Sequence, residues 1–164
     1  MASGKTTFGR AAARRIGWDF IDLDERIAET YGTPAEIFAR EGETRFREIE
    51  TQMLATSLLT QRDTVVALGG GTALREENLR LIKAGATLVW LDTDFDIILS
   101  ELGNTDRPLL HGLSPEQIRA LYDARRPQYA QAADLVFPIV SFDYDKVIVQ
   151  LAEFIQTTKS LSHE

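Results

Sequence analysis

The chain has 164 residues, 44% hydrophobic and 26% charged, a globular composition large enough to bury a core without covalent staples. Its net charge of −7, from 25 acidic against 18 basic residues, excludes a surface that attracts nucleic acid or anionic lipid as a whole, so an anionic ligand requires a local basic pocket. The absence of cysteine removes disulfides and thiolate chemistry, His111 and His163 are too few and too far apart for a His-based metal site or triad, and no apolar run nears the ~20 residues of a membrane span. A soluble, cytoplasmic protein with neither nucleic acid nor membrane as partner is expected, and both histidines are read as exposed and without a role.

In chain order, apolar periodicity predicts a helix over Lys5–Arg15 and a β-rich run at Asp19–Leu23, then helices over Glu25–Tyr31, Pro34–Arg40 and Glu43–Leu59. A strand at Thr64–Leu68, a helix over Arg75–Ala84, a strand at Thr87–Leu91 and helices over Asp94–Leu102 and Pro115–Ala132 follow. The last elements are a strand at Leu135–Ile139 and a helix over Tyr144–Thr157, ahead of a frayed polar tail at Lys159–Glu164. Within Glu43–Leu59, Phe46, Ile49, Met53 and Leu54 recur at helical spacing and form the buried stripe. The strand cores Val-Val-Ala-Leu and Leu-Val-Trp-Leu are apolar without alternation, as in a sheet covered on both faces, and strands separated by helices imply a mainly parallel α/β sheet. Pro138 marks its strand as an edge, and Pro127 predicts a kinked or interrupted helix. No repeat or linker divides the chain, so one domain over residues 1–164 is expected.

The opening Met1-Ala2-Ser3-Gly4-Lys5-Thr6-Thr7 carries the back half of a Walker A loop, G-x-x-x-x-G-K-[ST]. Gly4 lets backbone N–H groups approach phosphate oxygens, and the helix beginning near Lys5 directs its positive dipole end at them. Lys5 reaches the terminal phosphates and Thr6 offers a hydroxyl to Mg²⁺. A chance Ser-Gly-Lys-Thr at a helix start is the alternative. The motif's first glycine would fall two residues ahead of Met1, and the hydrophobic strand that delivers such a loop is absent as well. Either the chain begins upstream or this is a shortened product.

Further candidates lie at the ends of the predicted strands. Asp22 and Asp24 end the Phe20-Ile21 run, and residues two apart on a strand share a face, so both carboxylates can enter one crevice; the alternative is that Asp24 caps the following helix. Gly69-Gly70-Gly71 follows a buried strand and gives a backbone able to approach a ligand, or merely a turn. Arg47 and Glu50 share a helix face away from the Phe46/Ile49 stripe, either as site residues or as an ordinary solvated pair. Arg107, in the irregular Asn104–Leu110 stretch, suits a lid that lowers positive charge over a transferring phosphoryl group. Arg125 precedes Pro127 and Tyr129 in the long Pro115–Ala132 pattern.

Taken together and in this order, Gly4-Lys5-Thr6-Thr7, Phe20-Ile21-Asp22-Leu23-Asp24, Ile37-Phe38 with Gly42-Glu43 and Phe46-Arg47…Glu50, Gly69-Gly70-Gly71, Asn104–Leu110 and Arg125-x-Pro127-x-Tyr129 make the chain resemble shikimate kinase from its first residue to about Leu151. The resemblance implies a three-layer α/β P-loop kinase fold with a five-stranded parallel sheet, its first strand missing here, a substrate-binding helical region near residues 25–55 and a lid near 103–115. The implied activity is transfer of the ATP γ-phosphoryl group to the 3-hydroxyl of shikimate, on the route to chorismate and aromatic amino acids, by a monomer. The implied roles place Ser3, Gly4, Lys5, Thr6, Thr7 and Arg107 on ATP, and Thr6 and Asp22 on Mg²⁺. Asp24, Arg47, Gly70, Gly71 and Arg125 fall on shikimate, with Lys5, Asp24 and Arg107 in catalysis. Two arginine forks suit a planar carboxylate, and phosphoryl transfer asks for charge neutralisation and alignment rather than a protein nucleophile.

Two other readings are a ligand-sensing domain of the same fold and a truncated, inactive kinase. The missing strand is central in the resembled fold, so its loss leaves backbone groups on both neighbours unpaired, at a cost above the ~5–15 kcal/mol of total stability typical of a domain. The 164-residue chain is therefore expected to be poorly folded or inactive, and about ten upstream residues to rescue it.

Overall fold

The structure, a computed structural model, describes residues 3–60, 62–102, 113–141 and 143–161. Seven helices and four strands alternate among these residues: α1 (Lys5–Ile16), β1 (Asp19–Asp22), α2 (Leu23–Tyr31), α3 (Pro34–Thr60), β2 (Thr64–Ala67), α4 (Glu76–Gly85), β3 (Val89–Thr93), α5 (Phe95–Leu102), α6 (Pro115–Ala132), β4 (Leu135–Ile139) and α7 (Asp145–Leu161). A 3-10 turn, Thr72–Leu74, joins β2 to α4.

The boundaries follow local hydrogen bonding. Asp22 is the N-cap of α2, its carboxylate accepting from the N–H groups of Asp24 and Glu25 at 3.0 and 3.3 Å. The helix thus begins two residues earlier than periodicity predicts, and the cap is Asp22 rather than Asp24. The two helices expected over residues 34–59 are joined in α3 across a kink at Gly42, whose φ of 85° and ψ of 169° lie outside helical space. Pro127 does not interrupt α6, which runs unbroken from the capping box at Ser114 and Gln117 to Ala132. At the end of the chain α7 continues to Leu161, beyond the expected stop at Thr157 and into the stretch read as tail.

Parallel pairing is as expected, but it is divided. β1 pairs with β2 in the register Asp19↔Thr64 to Asp22↔Ala67, and β3 pairs with β4 from Val89↔Leu135 to Thr93↔Ile139. Among the described residues β2 and β3 pair only with these outer partners. The start of the second pair is pinned by Asp134, which accepts from the Leu88 N–H at 2.7 Å and from the Lys83 ammonium. Pro138 lies in β4, opposite Asp92, on a strand with one partner, consistent with its reading as an edge residue.

Each half has its own core. Leu23, Ile27, Ile37, Phe46, Ile49, Leu54, Ala73 and Ile82 pack together under α2, α3 and α4, with Met53 against them, so the predicted stripe is the buried one. Phe8, Ala12, Leu91, Ile139, Tyr144, Ile148 and Leu151 form the second cluster between α1, β3, β4 and α7. Between the two pairs of strands runs a cavity of about 1060 Å³.

Ile27 is fully buried, whereas Leu59 on α3 is 85% exposed. Ile27→Ala is expected to lower the unfolding free energy by about 2–5 kcal/mol, as large-to-small core changes do. Leu59→Ala should stay within about 0.5 kcal/mol, and paired urea melts measure both.

Candidate active site

The chemistry-bearing residues gather where the strands end and helices begin, the position at which open α/β sheets take ligands. Gly4 is left-handed, with φ 70° and ψ 17°, and no side chain caps α1, which offers the first-turn N–H groups to an anion. The Thr6 hydroxyl donates to Asp22 Oδ2 at 2.6 Å. Because Asp22 Oδ1 caps α2, one carboxylate ties the start of α1 to the start of α2. Lys5 Nζ lies 3.5 Å from Ser3 Oγ; Ser3 is buried, and its carbonyl accepts from the Thr93 hydroxyl at 3.4 Å. Thr7, in the first turn of α1, is exposed. Thr6 and Asp22 present hard oxygens side by side, a donor set that fits Mg²⁺ retaining water and phosphate ligands.

The second half of the site is built around a buried carboxylate. Glu50 is fully buried on α3; its Oε1 accepts from the Thr72 hydroxyl at 2.7 Å and its Oε2 from Arg47 Nη1 at 3.1 Å. Thr72 is equally buried, and its carbonyl accepts from Asn78 Nδ2 at 3.0 Å. Arg47 also donates to Glu43 and lies over the Phe46 ring, 5.2 Å from its centroid. Partial burial works against its charge, but Glu50 and Glu43 prevail and hold the guanidinium above its ordinary range.

Backbone closeness explains the glycine run. A Cβ on Gly71 would stand 3.2 Å from Arg47 Nη1. One on Gly69 would stand 3.0 Å from both Asp24 Oδ1 and Thr72 Oγ1 and 3.2 Å from Glu50 Oε1. The Gly70 carbonyl accepts from the Tyr129 hydroxyl on α6. Burial pushes that phenol above its ordinary range, outweighing nearby Arg125, so it stays a donor throughout the neutral range. Arg125, one turn ahead of Tyr129, shares a second cleft of about 960 Å³ with Arg47 and Gly71. It also lines the cavity that Lys5, Gly69 and Gly70 border.

The structure therefore brings Lys5, Thr6, Asp22, Asp24, Arg47, Gly70, Gly71 and Arg125 to one end of the strands. Two readings are corrected. Asp22 and Asp24 do not share a strand face, because β1 ends at Asp22 and Asp24 belongs to the first turn of α2. Arg47 and Glu50 are not a solvated pair, because Glu50 is inside the core against Thr72. Arg107 and most of the expected lid lie outside the described residues, as do Asn104, His111 and His163. Thr72 and Asn78 escape sequence reasoning; the available signal is that Glu50 follows Ile49 directly and Phe46 by one turn, on the flank of the buried stripe. Arg126 binds Asp92 through two hydrogen bonds of 2.9 and 2.6 Å, which holds its guanidinium well above the usual range.

Comparison with known proteins places this geometry. The profile of the family described as shikimate kinase matches residues 1–156. The shikimate kinase of Moorella thermoacetica is 46% identical over 134 residues, 80% of this chain and 77% of that protein. That of Cereibacter sphaeroides is 41% identical over 160 residues, 96% of this chain and 79% of that protein. Among solved structures, shikimate kinase from Acinetobacter baumannii in complex with shikimate superposes with a TM-score of 0.86 at 30% identity, over 97% of this chain and 90% of that one. The Bacteroides thetaiotaomicron enzyme gives 0.82 at 29% identity, over 98% and 94%. With a matching profile over nearly its whole length and relatives above 40% identity, the chain belongs to the shikimate kinase family.

Proposed function

We propose that the chain transfers the γ-phosphoryl group of ATP to the 3-hydroxyl of shikimate. The observation that carries this reading is the convergence of Arg47, Arg125, Asp24 and the Gly69–Gly71 backbone beside the Lys5–Thr6–Asp22 end of α1. Arg47 and Arg125 bind the shikimate carboxylate from two sides, and the Gly70 and Gly71 backbone lines the same pocket. Asp24 holds the acceptor hydroxyl and takes its proton as the hydroxyl oxygen bonds to the γ-phosphorus. The bond from that phosphorus to the β,γ-bridging oxygen breaks, and ADP leaves. Ser3, Gly4, Lys5, Thr6 and Thr7 bind the ATP phosphates, with Lys5 neutralising charge on the transferring group and Arg107 reaching it from the lid.

Thr6 and Asp22 are the residues that would hold Mg²⁺, which when bound screens charge across the β- and γ-phosphates. Among the described residues no group of three or more His, Cys, Asp or Glu could hold a metal ion. The chain acts as one domain over residues 1–164, with the acceptor region near 25–55 and the lid near 103–115, as a cytoplasmic monomer. No helix among the described residues is long and apolar enough to cross a membrane.

A coupled assay of ADP release, with and without shikimate, tests the reading. Shikimate-dependent turnover supports it, and saturable shikimate binding without turnover would replace it with a sensing domain. Lys5→Met is expected to lower kcat by about 10²–10³-fold, the usual effect of removing one preorganised charge stabiliser. Arg47→Ala should instead raise the shikimate KM by about 10–100-fold with ATP affinity unchanged, as loss of a charged hydrogen bond predicts.

Glu50 allows a separate check. Thr72→Val leaves a buried carboxylate oxygen without its hydroxyl donor and is expected to cost about 1–3 kcal/mol of stability. It should also raise the shikimate KM, because Glu50 no longer stands fixed beside Arg47. Unchanged melts and an unchanged KM together would remove Thr72 from the site.

A further inference from the structure

The glycine run after β2 is electrically one-sided. Its carbonyls are all taken: that of Gly69 accepts from the Thr72 N–H at 3.2 Å, that of Gly71 from the Leu74 N–H at 3.2 Å, and that of Gly70 from the Tyr129 hydroxyl. The N–H groups of Gly70 and Gly71 donate to no partner among the described residues. A backbone with its acceptors covered and its donors open presents positive dipole ends to its surroundings, which suits an anion. Two of the three carbonyls are answered from within the same turn. Only that of Gly70 is answered from elsewhere in the fold, by a side chain 59 residues away in sequence.

The Gly70 C=O and the Gly71 N–H belong to one peptide unit. A donor on that oxygen draws electron density through the amide and makes the N–H the stronger donor. Gly71 lies against the Arg47 guanidinium, a Cβ there standing 3.2 Å from Nη1 and 3.4 Å from Nη2. Gly71 and Arg47 thus form one corner of the cleft that Arg125 also borders. Tyr129 follows Arg125 by one turn of α6, and its ring packs on Trp90 with centroids 6.0 Å apart.

We infer that Tyr129 is a positioning residue for the acceptor. Its hydroxyl holds the Gly70–Gly71 peptide with the oxygen toward α6 and strengthens the Gly71 N–H as a donor to the carboxylate that Arg47 and Arg125 bind. Without that hydroxyl the Gly70 oxygen is a bare acceptor beside an anionic ligand and opposes its binding. The identity of the ligand rests on the kinase reading proposed above, whereas the orientation and polarisation of the peptide do not. Tyr122 supplies an internal control. It stands on the same helix and makes the same kind of bond, to the Thr93 carbonyl at 3.2 Å, away from the glycine run.

Tyr129→Phe removes the hydroxyl and keeps the ring on Trp90. It is expected to raise the shikimate KM about 3–10-fold, the loss of one neutral hydrogen bond, with kcat and the ATP KM unchanged. In the ligand-free protein it should move the Gly71 amide nitrogen resonance upfield by more than those of Gly69 or Thr72. Tyr122→Phe should leave the shikimate KM unchanged, because Arg126 still holds Asp92 on that side through two bonds. Should Tyr129→Phe not fold, a tyrosine fluorinated ortho to the hydroxyl at this position keeps the bond and strengthens the donor, and both readouts then move the opposite way. An unmoved Gly71 resonance, an unchanged shikimate KM, or an equal rise with Tyr122→Phe overturns the inference, the last by making Tyr129 only a clasp between the halves. A wild-type chain that neither binds nor phosphorylates shikimate sinks the kinase reading instead, and the Gly71 resonance alone then decides the part of Tyr129.

Discussion

The acceptor side of this protein depends on one constraint, that a carboxylate placed fully inside the core must have every oxygen answered. An isolated buried charge is prohibitively costly, and Glu50 avoids that cost only by being shared between the Arg47 guanidinium and the Thr72 hydroxyl. Those two partners come from different parts of the chain, one from the same helix and one from the turn after β2. Satisfying Glu50 therefore fixes the distance between α3 and the glycine run, and it sets the direction in which Arg47 points. Asn78, bonded to the Thr72 carbonyl, extends the same accounting into α4. A stability requirement and, under the role proposed for Arg47, a recognition requirement are met by the same atoms.

Asp22 plays the corresponding part on the phosphate side. One of its oxygens ends β1 by capping α2, and the other takes the Thr6 hydroxyl. The loop ahead of α1 and the helix that carries Asp24 are thereby held to a common point. The starts of α1 and α2 are thus positioned against each other through short, hydrogen-bonded connections rather than through long flexible side chains.

Much of this was readable from residue order. Gly-Lys-Thr before a helix, the glycines after an apolar strand, and arginines on two later helices pointed to both ends of the candidate site, because each is tied to a local conformation that its residue type favours. The mainly parallel pairing followed from apolar strands alternating with helices. What could not be read was set by tertiary packing. Glu50 looked solvated because an i,i+3 pair with Arg47 is the ordinary surface arrangement, and only the approach of Thr72, 22 residues away in sequence, makes it interior. The helix boundary at Leu23 escaped periodicity because a side-chain cap, not an apolar position, decides it. Pro127 was expected to kink or interrupt α6, and the helix runs through it without interruption.

Helix α6 has a mechanical consequence. Tyr129 grips the half that contains β2, while Tyr122 and Arg126 grip the half that contains β3, and Arg125 stands between these anchors. Spreading the halves would strain the helix at both grips and shift Arg125 away from Arg47. Under the roles proposed for Arg47 and Arg125, affinity for a carboxylate ligand would gauge how tightly the two leaves of the molecule are clasped.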